Sequence, residues 1–142
     1  MDGLPAWPSG YGWRSKRGDR ATMIGHVVWV AVGGFCGAWA RFGFGAWGKS
    51  RFRTALPLAT MLINLSGSFL LGLLAGGDWG SAVSLLLGTG FMGAYTTFST
   101  FNVENINLIR DRAWRVLLLY VAGSYALGIV LAWAGYELGL LL

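Results

Sequence analysis

Apolar residues in this chain come in long blocks, not in the dispersed pattern of a soluble domain. Four blocks, 21–47, 56–76, 81–109 and 113–142, each reach the roughly 20 apolar residues a helix needs to cross a bilayer core. The polar segments "GKSRFRT", "GGD" and "RDRAWR" separate them. Barrel strands would alternate in polarity, and these runs do not. The pattern predicts an all-α integral membrane protein with four transmembrane helices in one domain over residues 21–142.

The third block departs from the pattern. Its 29 residues would run about 44 Å as one straight helix, well beyond a hydrocarbon core of about 30 Å. It also contains Gly88, Gly90 and Gly93, followed by "TTFSTF". The glycines predict a broken third helix, with the break before "TTFSTF". Broken backbone at membrane depth is tolerated only inside protein or beside water. Its freed carbonyls can bind a cation, and its helix N-termini can face an anion. Past the break, Phe98 and Phe101 share one helix face, and Thr97, Thr100 and Glu104 share another. A phenyl ring has a positive edge, which can help solvate a small anion without offering a counter-charge.

The neighbouring blocks carry matching polar positions. Thr60, Asn64 and Ser68 are spaced i, i+4, i+8 in the second, behind Pro57 in its first turn. Tyr120 and Ser124 are spaced i, i+4 in the fourth, beside Gly123 and Tyr125 and one turn before Gly128. Each set can simply join helices, at about 1 kcal/mol per bond, or line a polar path. The first block has the small-residue pairs Gly33/Gly37 and Gly34/Ala38, which suit close helix packing. Arg41 closes that block, where it either snorkels to the surface or draws anions into a vestibule.

Composition agrees with the membrane reading. Of the 142 residues, 55% are hydrophobic and only 12% charged, about half the usual charged share of soluble domains. The net charge of +5 sits on residues flanking the spans, so lipid headgroups and not nucleic acid are the expected partner. One cysteine, Cys36, and one histidine, His26, make no disulfide framework or metal cluster. No phosphate-binding loop, HExxH pair or nucleophile elbow is present, and the chain reads as a non-enzyme. Residues 1–20 read as a flexible basic N-terminal tail, with Trp7 and Trp13 at the membrane interface and Met23 as a second candidate start. Four basic residues (Arg14, Lys16, Arg17, Arg20) oppose six (Lys49, Arg51, Arg53, Arg110, Arg112, Arg115) across the predicted membrane. So weak a bias permits insertion in both orientations, and two opposed copies would pair as an antiparallel dimer.

"GGFCGAWARF", "LINLSGSFLLGLLAG" and above all "GFMGAYTTFSTFNVE" resemble the Fluc/CrcB fluoride channels. The resemblance covers about residues 33–128, and its most specific element is TTFSTF with a glutamate three residues after the last phenylalanine. It implies a dual-topology antiparallel homodimer with two fluoride pores in the plasma or inner membrane of a prokaryote. It implies a structural sodium ion at the dimer centre, on the backbone carbonyls of Gly93 and Thr96. It assigns Phe98 and Phe101 as pore phenylalanines and Asn64 as the pore asparagine. Ser99, Thr100, Tyr120 and Ser124 form its polar track, with Glu104 beside Thr100, and Arg41 is its vestibule arginine. The chain departs from the family in Gly-Ala-Tyr before TTFSTF, where Gly-Gly-Leu is commoner, and in Asn102 for a usual serine. Tyr95 thereby adds a phenol near the centre.

The chemistry expected of such a pore is passive. Fluoride holds its water tightly, so hydroxyls and the Asn64 amide must replace that water as donors. Binding must stay weak enough for exit. The rival reading is a small dual-topology multidrug exporter, a coupled transporter of similar size. It needs a carboxylate in the first span, and residues 21–47 contain none.

Overall fold

The computed structural model describes residues 16–52 and 54–142, with side chains from residue 22 onward. The expected contacts of Trp7 and Trp13, and most of the expected tail, lie outside the described residues. Helix α1, Lys16–Arg51, begins inside the stretch expected as tail. Helix α2 is Leu58–Gly76, α3 covers 81–95, α4 is Phe98–Arg110 and α5 is Trp114–Gly139. No strand occurs among the described residues. Among the described residues three helical segments are long and apolar enough to cross a membrane: Thr22–Arg51 within α1, then α2 and α5. The third predicted span is instead two shorter helices, α3 and α4, separated by Thr96 and Thr97.

Pro57 sits just before α2, at its N-cap, and its carbonyl accepts from Met61 N–H at 3.1 Å. At the far end Gly77 N–H reaches back to the Leu73 carbonyl at 3.3 Å. The turn from α4 to α5 is tight. Ala113 N–H bonds to the Leu108 carbonyl at 2.9 Å and Arg112 N–H to the Ile109 carbonyl at 3.0 Å, with Arg112 at φ 52°. This is a Schellman end with arginine in the position that glycine usually fills.

Glycines decide how the helices pair. Along α2 and α5, a Cβ on Gly72 would strike the Ala132 carbonyl and one on Gly76 the Tyr136 carbonyl. From the other side, Gly135 lies on the Phe69 carbonyl and Gly139 on that of Leu73. Two Gly-xxx-Gly ridges therefore interlock, which is how membrane helices gain close van der Waals packing where lipid offers no hydrophobic drive. The α1–α3 pair is built the same way. Gly33 faces the Leu86 carbonyl, Gly37 the Phe91 carbonyl, and a Cβ on Gly90 would lie 2.6 Å from the Val30 carbonyl.

The break expected just before TTFSTF falls on the first two residues of that element, and the glycines expected to favour it do not themselves break the helix. Gly88, Gly90 and Gly93 all stay helical, in a stretch whose turns widen to the i→i+5 pattern over Ser84–Met92. Gly90 serves the contact with α1, and the break falls on the two threonines that follow.

Few of the described residues are buried. One core cluster is Ile63, Met92 and Tyr95, between α2 and α3; the other is Phe101, Leu108 and Tyr120, between α4 and α5. Phe35, Trp39, Phe42, Ile129 and Trp133 are exposed, as apolar faces meeting lipid or another chain would be.

The seam makes a stability prediction. Gly33→Ala places a methyl against the Leu86 carbonyl and should destabilise the detergent-solubilised protein by about 1–3 kcal/mol. Gly25→Ala, with nothing within 4 Å of its added Cβ, should be neutral or stabilising. Thermal unfolding of the two variants side by side measures the difference. Equal melting would mean that α1 does not depend on this contact.

Candidate functional site

The break is held by side chains from two helices. Thr96 (φ −73°, ψ 157°) and Thr97 (φ −145°, ψ 118°) are extended, a backbone that β-branched residues accept readily. Thr97 caps α4: its Oγ1 accepts from Thr100 N–H at 3.3 Å and donates to Thr100 Oγ1 at 3.0 Å. Asn64 then grips both sides of the Thr97 peptide backbone. Thr97 N–H donates to Asn64 Oδ1 at 2.9 Å, and Asn64 Nδ2 donates to the Thr97 carbonyl at 3.0 Å. Gly67 lets this segment approach α2, since any Cβ there would overlap Thr96 Cγ2.

These bonds leave carbonyls without helical donors. Thr97 N–H would close on the Gly93 carbonyl in an unbroken helix, but it is turned to Asn64. Thr100 N–H is likewise turned from the Thr96 carbonyl to Thr97 Oγ1. Arg41 Nη1 lies 3.4 Å from the Thr96 carbonyl, a long contact that puts the guanidinium at the break. Gly93 is exposed, with nothing within 4 Å of where its Cβ would be. Neutral carbonyl oxygens with no carboxylate are the ligand type a hard monovalent cation such as sodium takes, but Arg41 would have to leave the Thr96 carbonyl for that oxygen to serve. Among the described residues no group of three or more His, Cys, Asp or Glu offers an alternative metal site.

A cavity of about 440 Å³ opens beside the break, and Asn64, Ser68, Thr97, Phe98, Phe101 and Ser124 are among its lining residues. Phe98 is 70% exposed, whereas Phe101 is 7% exposed. Their rings lie 6.4 Å apart at 25°. Phe101 packs on Tyr120 at 4.9 Å and meets Tyr125 edge-on at 6.2 Å and 89°. The Ser124 hydroxyl is buried and has no hydrogen-bond partner. An unpaired buried hydroxyl costs about 1–3 kcal/mol. Its donor is not used within the chain, and Ser124 is one of the residues lining the cavity.

A second polar cluster lies behind the phenylalanines. Thr60 Oγ1 donates to Glu104 Oε1 at 2.8 Å, and Tyr120 OH donates to Glu104 Oε2 at 2.7 Å. Both bonds are short. Tyr120 is completely buried.

The structure brings Asn64, Phe98, Phe101 and Ser124 to one cavity and Glu104 and Tyr120 to the cluster behind it. Thr100 and Ser99 are exposed, and each has its hydroxyl near Thr97 Oγ1, the latter at 3.4 Å. Glu104, one helical turn from Thr100 on α4, bonds to Thr60 and Tyr120. Arg41 is half-buried at the break. The Asn64 amide holds the kink, leaving one N–H for other work. Ser66, which sequence reasoning passed over, pairs with Tyr95 OH at 3.0 Å and gives that extra phenol its partner. Nothing in the spacing of Ser66 distinguished it from its neighbour Ser68.

The profile of the family described as "CrcB-like protein, Camphor Resistance (CrcB)" matches residues 28–136. The chain belongs to this CrcB family. Its relatives include a protein of Bacillus cereus named fluoride-specific ion channel FluC 2, 49% identical over 110 residues, covering 78% of this chain and 93% of the relative. Fluoride-specific ion channel FluC 1 of Geobacillus kaustophilus is 47% identical over 112 residues, 79% of this chain and 96% of the relative. Fluoride-specific ion channel FluC 1 of Listeria monocytogenes is 44% identical over 117 residues, 82% of this chain and 99% of the relative. The matched CrcB segment contains every side chain of the cavity and of the Glu104 cluster.

Asn64→Leu should be among the most destabilising single changes in this membrane protein. It leaves the Thr97 N–H and carbonyl both unpaired, at about 1–3 kcal/mol each. Asn64→Asp keeps the acceptor for Thr97 N–H and should fall between Asn64→Leu and the parent. Thermal unfolding in detergent ranks the three; an Asn64→Leu protein as stable as the parent would show that the break holds itself.

Proposed function

We propose that this chain is a fluoride-selective ion channel through which cytoplasmic fluoride leaves the cell passively, giving fluoride resistance. The observation that carries this reading is the unpartnered Ser124 hydroxyl, buried at a cavity shared with Asn64, Phe98 and Phe101. A strongly hydrated anion needs such donors to replace its water. None of the residues lining the cavity is a cation that would trap it. The names of the relatives support the same substrate. The exporter reading finds no support. The one carboxylate between α2, α4 and α5, Glu104, already accepts two hydrogen bonds, and residues 21–47 hold none.

Fluoride arriving from the Asn64 side would gain donors from the free Asn64 N–H and the Ser124 hydroxyl, then the positive edge of the Phe98 ring. The hydroxyls of Ser99 and Thr100, with Thr97 at their centre, lie at the N-terminus of α4, where the helix dipole also favours an anion. Thr60, Glu104 and Tyr120 form a braced polar column beyond Phe101.

The working unit in this reading is an antiparallel homodimer, in the plasma or inner membrane of a prokaryotic cell, with α3 and α4 together making a broken third crossing of four. The exposure of Phe98 and Gly93 supports assembly, since both lie where a second copy can cover them. The Gly93 and Thr96 carbonyls would hold sodium between the two copies, with Arg41 drawing anions toward the same region. When bound, sodium supplies a fixed positive charge that offsets the cost of an anion in low dielectric.

Efflux from liposomes with no pH gradient tests the function. The parent should release fluoride and retain chloride. Ser124→Ala should lower fluoride flux about tenfold or more, the loss of one hydrogen bond to a charged species. Phe98→Ile, at an exposed position, should change subunit stability by no more than about 0.5 kcal/mol and still lose most of the flux. A stable Phe98→Ile protein with parental efflux would remove the ring-edge role, and chloride release equal to fluoride would remove selectivity.

Assembly has its own test. With Cys36 replaced by serine, a cysteine at position 50 should be tagged from outside intact cells on about half the copies. Tagging of all or none of them would overturn dual topology. In a structure of the assembled channel solved in sodium, a water molecule at the Thr96 carbonyls would overturn the cation site.

A further inference from the structure

The seam between α4 and α5 holds a second groove, of about 540 Å³, toward the turn that joins them. Asn105, Ile109, Trp114, Leu117, Leu118 and Val121 line it. Asn105 is its one amide side chain, with Oδ1 buried and unpartnered; the other five lining side chains are largely apolar and suit hydrocarbon.

The end of the bundle at which Ile109 and Trp114 line this groove is basic. Arg110 ends α4, Arg112 stands in the turn and Arg115 lies in the first turn of α5. All three arginines are exposed. Their guanidiniums have no hydrogen-bond or ion-pair partner among the described residues. Asp111 is the only acid in the turn. The Ala113–Leu108 and Arg112–Ile109 backbone bonds fix the turn, so the arginines are carried on ordered backbone. Trp114 is itself exposed at this end of α5, the depth at which indole rings meet headgroups.

An apolar slot with three exposed arginines, unpaired among the described residues, at the same end of α4 and α5 is complementary to an amphiphile with an anionic head. We propose that this groove binds one acyl chain of an anionic phospholipid, with its phosphate among Arg110, Arg112 and Arg115. Basic pockets beside membrane helices hold lipid headgroups by the same complementarity. The site is distinct from the cavity at the break and does not depend on what ion passes there.

Native mass spectrometry of the full chain, released from detergent carrying phosphatidylglycerol or phosphatidylcholine of matched chains, tests the proposal. The parent should retain phosphatidylglycerol in preference to phosphatidylcholine. Each Arg→Gln change at 110, 112 or 115 should lower that preference about fivefold, whereas Arg115→Lys should largely keep it. Leu118→Trp, at an exposed lining position, should fill the groove and abolish retention with every arginine in place. If that variant fails to fold, Val121→Phe makes the same test. Equal retention of the two lipids would overturn the proposal. So would phosphatidylglycerol retained on the filled groove, which would mean surface electrostatics alone. Displacement of the lipid by inorganic phosphate would also overturn it, by revealing a free-anion site.

Discussion

The paired hydrogen bonds between Asn64 and the backbone of Thr97 are the constraint on which the rest of the site depends. A helix can stop inside an apolar environment only if its orphaned N–H and carbonyl groups find other partners. One primary amide satisfies a donor and an acceptor of the same residue, at 2.9 and 3.0 Å. Thr97 then caps the next helix with its own hydroxyl. The cavity follows from this: Phe98 and Phe101 point as they do because α4 restarts at that angle, and the Gly93 and Thr96 carbonyls lose their helical donors because the Thr97 and Thr100 N–H groups are used elsewhere, the Thr96 carbonyl then meeting Arg41.

Around that break, the fold solves a packing problem peculiar to lipid. Apolar side chains gain nothing by leaving hydrocarbon for one another, so the two helix pairs rely on backbone approaching backbone at glycines. Interlocked glycines on α2 and α5, and those joining α1 to α3, make two thin, rigid pairs. Few large side chains are buried in consequence. The broad exposed faces of α1 and α5 are what remains for lipid, or for a second copy of the chain.

The chemistry is one of neutral groups. Hydroxyls, an amide and ring edges can solvate a small anion without binding it too tightly to leave, whereas a lysine or arginine in the same place would hold it. The one acid in the neighbourhood, Glu104, is tied at both oxygens by Thr60 and Tyr120. Two such bonds hold the carboxylate in place behind Phe101. The cationic side chains instead stand at the break, in the case of Arg41, or around the ends of the helices.

Much of this was legible in the order of residues. Block length and hydropathy determine an all-helical membrane protein, because the bilayer allows few alternatives. The i, i+4 spacing of Thr60, Asn64 and Ser68, and of Tyr120 and Ser124, determines which faces are polar, because helical geometry is local. The TTFSTF element identifies the segment that matters. Where the helix breaks was decided only by tertiary structure. Glycine reads as a breaker when its surroundings are unknown, yet Gly90 is helical because α1 needs the space above it. Thr97, an unremarkable helix residue by propensity, is extended because Asn64, more than thirty positions away, bonds to its backbone. The same holds for Glu104, whose partners come from two other helices. A side chain's spacing states which face it occupies, and only the packed neighbours state what it meets there.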